Sequence, residues 1–369
     1  MIYFVVPRDT DFGIRDHLEL RGASSASRVT ILHYDDLPRR STLPGGVYIF
    51  SALDQLLPAG RRLAGEVADQ LERAGQRVLN HPARPLRRFD LLQELFRRGL
   101  NRHRAARASA DLSALRYPVF LREEHQHTGA LTALLRTSDE LRAELGRARV
   151  RGLRMDDLLV VEFCDTADGD GYYRKYAAFT VGSEIIPRAL ERGRVWALKH
   201  GGADFTRESL DEERAYVLGN PHAGQLRPIF DAARVDYGRI DYALKGGVVE
   251  TWEINLNPTI GRGSRASSGL LSPEIREYRA IAREHFYRRF QAAFEAIDAP
   301  GAPASIPIRY QAGTLEGLGP MSRPATPPRR LESVKRVLRP FRPLLDPLVK
   351  AMLPLLGRPT TRKPPSPEP

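Results

Sequence analysis

A chain of 369 residues can bury at least one large core, and its 42% hydrophobic and 28% charged content is that of a soluble globular protein of two or three subdomains. One cysteine, Cys164, excludes a disulfide framework and a cysteine-rich zinc site. The net charge of +12 suggests nucleic acid, but from Met321 onward there are 11 Lys and Arg against 3 Asp and Glu, so +8 sits in the tail and only +4 in the first 320 residues.

The N-terminus, MIYFVVPRD, has no basic region ahead of its short apolar run, which predicts a first strand, Ile2–Val6, rather than a leader. No uncharged apolar stretch of spanning length occurs, and with the cysteine usage this makes the cytoplasm the expected compartment. Apolar runs at Arg28–His33, Val47–Phe50 and Arg77–Asn80 alternate with helical patterning, clearest in Arg61–Ala74, where Leu63, Val67 and Leu71 recur at every fourth residue. Strand–helix alternation predicts an N-terminal α/β domain over 1–85 with a parallel sheet. Neither G-x-G-x-x-G after the first strand nor a Walker lysine loop is present, so this half lacks the usual phosphate cradles.

Next, Arg87–Gly99 predicts a helix with Leu91, Leu92 and Leu95 on one stripe, and Tyr117–Arg122 a strand with Pro118 at its start. The loop Glu123–Ala130 carries His125 and His127, which read either as phosphate contacts or bases, or as plain exposed loop residues. Ser138–Arg149 is a helix with Ser138 or Asp139 as N-cap, and Leu158–Cys164 a buried strand with a single acid, Glu162. Asp165–Gly171 is calcium-loop-like but lacks the closing Glu, which favours a polar connection. Tyr172–Val181, Glu184–Leu190 and Arg194–Leu198 read as an antiparallel meander carrying Arg174, Lys175 and Lys199. Leu210–Leu218 and Gln225–Arg234 read as helices.

The stretch that follows concentrates the chemistry. Tyr237–Leu244 and Val248–Ile254 flank a Lys245-Gly246-Gly247 turn and predict a β-hairpin. Asp241 lies mid-strand on the first arm. Glu253 and Asn255 lie two apart on the second, so both point to one face. Two carboxylates and a carboxamide on one face make a hard oxygen site suited to Mg²⁺ on nucleotide phosphates, but the same residues also fit exposed strand polars making cross-strand hydrogen bonds. Beyond the hairpin, Ser272-Pro273-Glu274 starts a helix whose stripe of Ile275, Tyr278, Ile281, Phe286, Phe290, Phe294 and Ile297 runs to Asp298. Residues 299–330 read as a Pro/Gly/Ala/Ser linker, and 331–369 as a basic amphipathic or disordered tail. Four prolines, 340, 343, 347 and 354, interrupt its helical stripe, each at a cost of ~3 kcal/mol in a regular helix. The tail suits peripheral membrane contact or a loose appendage; with Phe341 its lone aromatic, it offers no stacking platform and no specific nucleic-acid site.

Arg239-x-Asp241, then Glu253-x-Asn255-x-Asn257-Pro258 and a glycine-bearing loop, resembles the closing motif of ATP-grasp ligases, a family that includes D-alanine–D-alanine ligases, glutathione synthetases and ribosomal-protein glutamate ligases. The resemblance implies a mixed α/β and α+β chain with the ATP-grasp fold: a small N-terminal α/β domain that does not hold ATP, handing over near Leu79–Pro82, then two lobes over 86–298 clasping the nucleotide. It implies that Asp241, Glu253 and Asn255 bind two Mg²⁺ ions on ATP and that Arg239 is catalytic, facing the reacting phosphate. Arg88 and Arg122 stand where the family has phosphate-binding lysines, Glu162 loosely where an acid holds adenosine, and Lys175 and Lys199, with Arg174, where cations meet the triphosphate. Arg262, Ser264 and Arg265 are candidates for the acceptor carboxylate. The implied activity is ATP- and Mg²⁺-dependent activation of a small-molecule or peptide carboxylate as an acyl phosphate for attack by an amine or thiol. Because a guanidinium is a planar fork rather than a point charge, an alternative stays open: a catalytically degenerate ATP-binding module tethered to an anionic surface by the tail.

Overall fold

The chain sets out with strand β1 (Ile2–Val6), helix α1 (Phe12–Arg21), β2 (Val29–His33), β3 (Thr42–Pro44), β4 (Val47–Phe50), α2 (Pro58–Arg73) and β5 (Arg77–Leu79). Every residue of β1 and β4 is buried, as parallel strands covered on both faces require. They form a parallel sheet of order β2-β1-β4-β5, and the α2 stripe of Leu63, Val67 and Leu71 lies wholly in the core. The structure is a computed structural model that describes residues 1–21, 28–126, 129–198, 203–260, 272–298, 305–311 and 313–323.

Next come α3 (Arg88–Arg97), β6 (Ala105–Arg107), β7 (Val119–Glu123), α4 (Ser138–Val150) and β8 (Leu158–Glu162), with the strands in an antiparallel sheet of order β6-β8-β7. Leu141 and Leu145 of α4 pack on Leu121, Leu158 and Val160 in a core of their own. The α4 cap is Thr137, one residue ahead of the expected pair; its hydroxyl accepts from the Glu140 amide at 3.2 Å.

The third layer holds β9 (Tyr173–Val181), β10 (Glu184–Gly193), α5 (Arg207–Gly219), α6 (Ala223–Ala233), β11 (Tyr237–Lys245) and β12 (Val248–Asn255), in an antiparallel sheet of order β10-β9-β11-β12. The expected third meander strand at 194–198 does not form: β9 pairs with β11 instead, and Trp196 turns away to pack between Phe120 and Phe163, ring centroids 5.1 and 5.6 Å off. The predicted helix over 272–298 divides at Arg279 into Pro273–Tyr278, capped by Ser272, and Ala280–Ile297, whose Phe286 and Phe290 pack on Phe179 of β9. The Arg279 guanidinium is drawn to Glu213 on α5 at 2.5 and 2.6 Å.

Two clamps fix the hairpin to the first sheet. Asn80, fully buried just past β5 with φ +54°, donates to the Tyr237 carbonyl at 2.6 Å and accepts from the Asp236 and Tyr237 amides at 2.9 and 3.1 Å. At the other end, Ser51 donates to the Leu256 carbonyl at 2.6 Å, and Asn257 donates to the Thr10 carbonyl at 3.0 Å. A side chain at Gly13 would come within 3.1 Å of the Pro258 carbonyl oxygen, a tight contact that glycine avoids.

The compact unit runs from Met1 to Arg323, further than expected. Part of the stretch read as linker is strand β13 (Ser305–Pro307), paired antiparallel with β3, and Ile306, Ile308 and Met321 are buried. The basic tail from 331 lies outside the described residues. Among the described residues no helix is long and apolar enough to cross a membrane.

Candidate functional site

Register decides which hairpin side chains meet. Across β11 and β12, Arg239 lies opposite Asn255, Ile240 opposite Ile254, and Asp241 opposite Glu253. Opposed residues share a face, as do residues two apart. Arg239, Asp241, Glu253 and Asn255 therefore form one polar quartet, while Ile240 is fully buried in the core. Within it, Arg239 Nε donates to Asp241 Oδ1 at 2.9 Å, and Nη2 to Oδ2 at 3.4 Å. Lys175 on β9 reaches the same face, its Nζ 3.5 Å from Asp241 Oδ2 and 3.5 Å from Glu191 Oε2.

A second wall comes from the other sheet. Arg88, first residue of α3, and Arg122, near the end of β7, are both buried, and both donate through Nη2 to Glu253 Oε2, at 2.5 and 2.7 Å. Arg88 Nη1 also donates to the carbonyls of Glu123 at 3.0 Å, Gln126 at 2.9 Å and Glu124, so one guanidinium ties the start of α3 to the loop after β7 and to the hairpin. Arg122 Nε is buried without a hydrogen-bond partner among the described residues.

Charge follows from this packing. Burial, then the neighbouring Arg88, pull the Arg122 guanidinium below its ordinary value against the opposing Glu253. Burial also works against the Lys175 ammonium, but Asp241 and Glu191 outweigh it and raise its pKa. Arg239 is raised in the same way, burial being outweighed by Asp241. Among the described residues, four cations (Arg88, Arg122, Arg239, Lys175) thus face three carboxylates (Asp241, Glu253, Glu191), an excess of one positive charge. The quartet's oxygens are hard donors of the kind Mg²⁺ takes, and Asn255 Oδ1 is aimed by the Asn257 amide at 2.8 Å. A bare dication would meet carboxylates already compensated by protein cations, whereas a metal carried on a polyphosphate arrives with negative charge. The residues fit Mg²⁺ as part of a nucleotide complex.

The other expected residues fall elsewhere. Glu162 ends β8 fully enclosed, accepting from the Arg104 amide at 3.0 Å and Nε at 2.9 Å, and from the Arg116 amide and Nη2, each at 2.8 Å. Burial opposes its charge, but the Arg116 and Arg104 hydrogen bonds win and hold the carboxyl below its usual range. Its oxygens brace the three-stranded sheet and are not brought to the quartet. Arg174 alternates away from Lys175 on β9 and pairs with Asp168 and Glu212. His125 lines a cleft beside the site with Asp54, Arg87, Arg88, Ile254 and Leu256, 3.6 Å from Asp157. Lys199, His127, Arg262, Ser264 and Arg265 lie outside the described residues. Glu191 was not anticipated; the signal lay in strand pairing, since it sits opposite Lys175 in the β9–β10 register.

No protein-family model matches the chain, and no curated protein does. Among solved structures it is similar to D-alanine–D-alanine ligase from Bacillus anthracis complexed with ATP, at 14% identity over 80% of this chain and 99% of that one, TM-score 0.42. It is similar to the ligase of the same name from Coxiella burnetii, at 12% identity over 80% and 97%, TM-score 0.43. A RimK domain ATP-grasp protein from Sphaerobacter thermophilus aligns at 14% identity over 78% and 100%, TM-score 0.41.

Proposed function

We propose that this chain is an ATP-grasp ligase, which uses ATP and Mg²⁺ to activate a carboxylate as an acyl phosphate for capture by an amine or thiol. One observation carries the reading: Arg88 and Arg122, from outside the hairpin, converge on Glu253, while Arg239 and Lys175 flank Asp241 on the same face. Fixed cations around paired hard carboxylates suit a metal-bound polyphosphate better than a solvated strand face, where such guanidinium groups would not be buried. When bound, Mg²⁺ would neutralise phosphate charge and polarise the reacting phosphoryl group. Asp241, Glu253 and Asn255 would hold it. Arg88, Arg122 and Lys175 would orient phosphate oxygens, and Arg239 would meet charge developing on the transferred group. A substrate carboxylate oxygen attacks the γ-phosphorus and ADP departs; an amine or thiol then attacks the acyl carbon and phosphate departs. No side-chain nucleophile is required.

A second reading, nucleotide binding without turnover, is favoured by the same two arginines, since both already grip Glu253 Oε2. Incubation with ATP, Mg²⁺ and pooled carboxylic acids and amines, following ADP and phosphate, tests the proposal. ADP release that needs both the metal and an acid supports the ligase. ATP binding with no release under any pool supports the second reading, and absence of ATP binding overturns both.

A further inference from the structure

Beyond the quartet, one cluster of reactive side chains has no part in that chemistry. His103, ahead of β6, Cys164, just past β8, and Glu250 on β12 each offer a donor atom within 4.8 Å of the other two. Glu250 is completely buried, His103 is 1% exposed, and Cys164 is half-buried, which leaves a way in from solvent. The surroundings hold the three in place. Asn101 Nδ2 donates to the Thr251 carbonyl at 2.8 Å, and the Thr251 amide donates to Asn101 Oδ1 at 2.9 Å, pinning the His103 segment beside Glu250. The His103 ring stacks on Trp252, centroids 6.3 Å apart.

His103 Nδ1 lies 3.0 Å from Glu250 Oε2, close enough for both atoms to bind one ion in place of the hydrogen bond between them. Nε2, on the far side of the ring, is buried with no hydrogen-bond partner among the described residues. Glu250 accepts from the Arg102 amide at 3.2 Å on Oε1 and 3.1 Å on Oε2, while the Arg102 guanidinium stays 3.8 Å off. A dication held between Nδ1 and Oε2 would set its charge against the fully buried Glu250 carboxylate. A cysteine–histidine–carboxylate nucleophile fits less well, because burial and then Glu250 push the Cys164 thiol up to about 11 and keep it protonated.

We propose that His103, Cys164 and Glu250 bind a single divalent cation of the zinc class, stapling the three-stranded sheet to β12. Sulfur, nitrogen and oxygen donors together suit zinc rather than magnesium. On binding, the thiol proton leaves to solvent. Thiolate and carboxylate then balance the dication, and a water from the Cys164 side completes four-coordination.

Because Cys164 is the chain's single cysteine, thiol labelling with a disulfide reagent reports on this site alone in the unaltered full-length protein. Zn²⁺ should suppress labelling and Mg²⁺ should not. Co²⁺ should give a thiolate-to-metal absorption band that Cys164→Ser loses. His103→Gln, which keeps the thiol, should weaken Zn²⁺ protection at least roughly tenfold. A labelling rate indifferent to Zn²⁺ in the unaltered protein, or a cobalt spectrum unchanged in Cys164→Ser, overturns the proposal.

Discussion

Replacing Glu253 by Gln probes the junction between the two walls of the site. Its Oε2 is shared by Arg88 and Arg122, and the side chains of both arginines are only 6% exposed. Gln removes the one charge between them and leaves two buried guanidinium groups repelling each other. Breaking a buried ion pair costs about 3–5 kcal/mol. The low end applies, because the Gln carbonyl still accepts one bond and Arg88 keeps its three backbone acceptors. The expected loss is therefore about 3 kcal/mol, or roughly 4–5 °C in melting temperature for a unit running from Met1 to Arg323. Differential scanning calorimetry with and without inorganic triphosphate is the assay: the anion should restore more stability to Glu253→Gln than it adds to the unaltered protein. Adding Arg122→Met to Glu253→Gln should also recover part of the loss. A Glu253→Gln protein melting within about 1 °C of the unaltered one, with no extra response to triphosphate, would refute the reasoning.

Asp241→Asn keeps an acceptor for Arg239 and should fold normally, yet lower Mg²⁺-dependent ATP turnover roughly 100-fold or more, read as ADP release. Glu162 is held below its ordinary carboxylate value, so its stabilising contribution is complete above about 4.5 and is lost as pH falls through its lower folded value. Glu162→Gln should therefore be less stable at neutral pH and show a flatter acid limb in pH-dependent melting. Asn80→Ala breaks three buried hydrogen bonds and replaces an asparagine, which tolerates φ +54°, with a residue that tolerates it less, for an expected loss of roughly 3–5 kcal/mol by denaturant titration. Asn80→Gly, free of the strain, should lose about 1 kcal/mol less.

What the sequence made legible is what period and local chemistry encode. The α2 stripe, the buried parallel strands and the quartet follow from spacings of four and two along one element. Contacts between distant segments were not legible: Glu253 meets Arg88 and Arg122 across 165 and 131 residues of chain, and nothing local marks those arginines as its partners. Glu162 reads from sequence as a ligand contact, but its two arginine partners arrive from 58 and 46 residues away. Strict alternation also misleads where the ladder slips. The irregularity after Asp241 leaves Trp252 without an opposite residue, so Glu250 faces Ala243 while Glu253 faces Asp241. Three residues apart, the two acids share a face that alternation would deny them. At 194–198 local strand propensity did not decide the conformation: Trp196 packs against Phe120 and Phe163 instead of extending the sheet.

The central claim is that the quartet and its ring of cations receive a metal carried on a polyphosphate. Calorimetric titration of the full-length protein with ATP, in the presence and absence of Mg²⁺, tests it most directly, with Mg²⁺ alone as a third titration. The charge excess of the site predicts ATP binding that Mg²⁺ strengthens and no measurable uptake of the bare metal. ATP binding indifferent to Mg²⁺, or tight binding of Mg²⁺ with no nucleotide present, would contradict it.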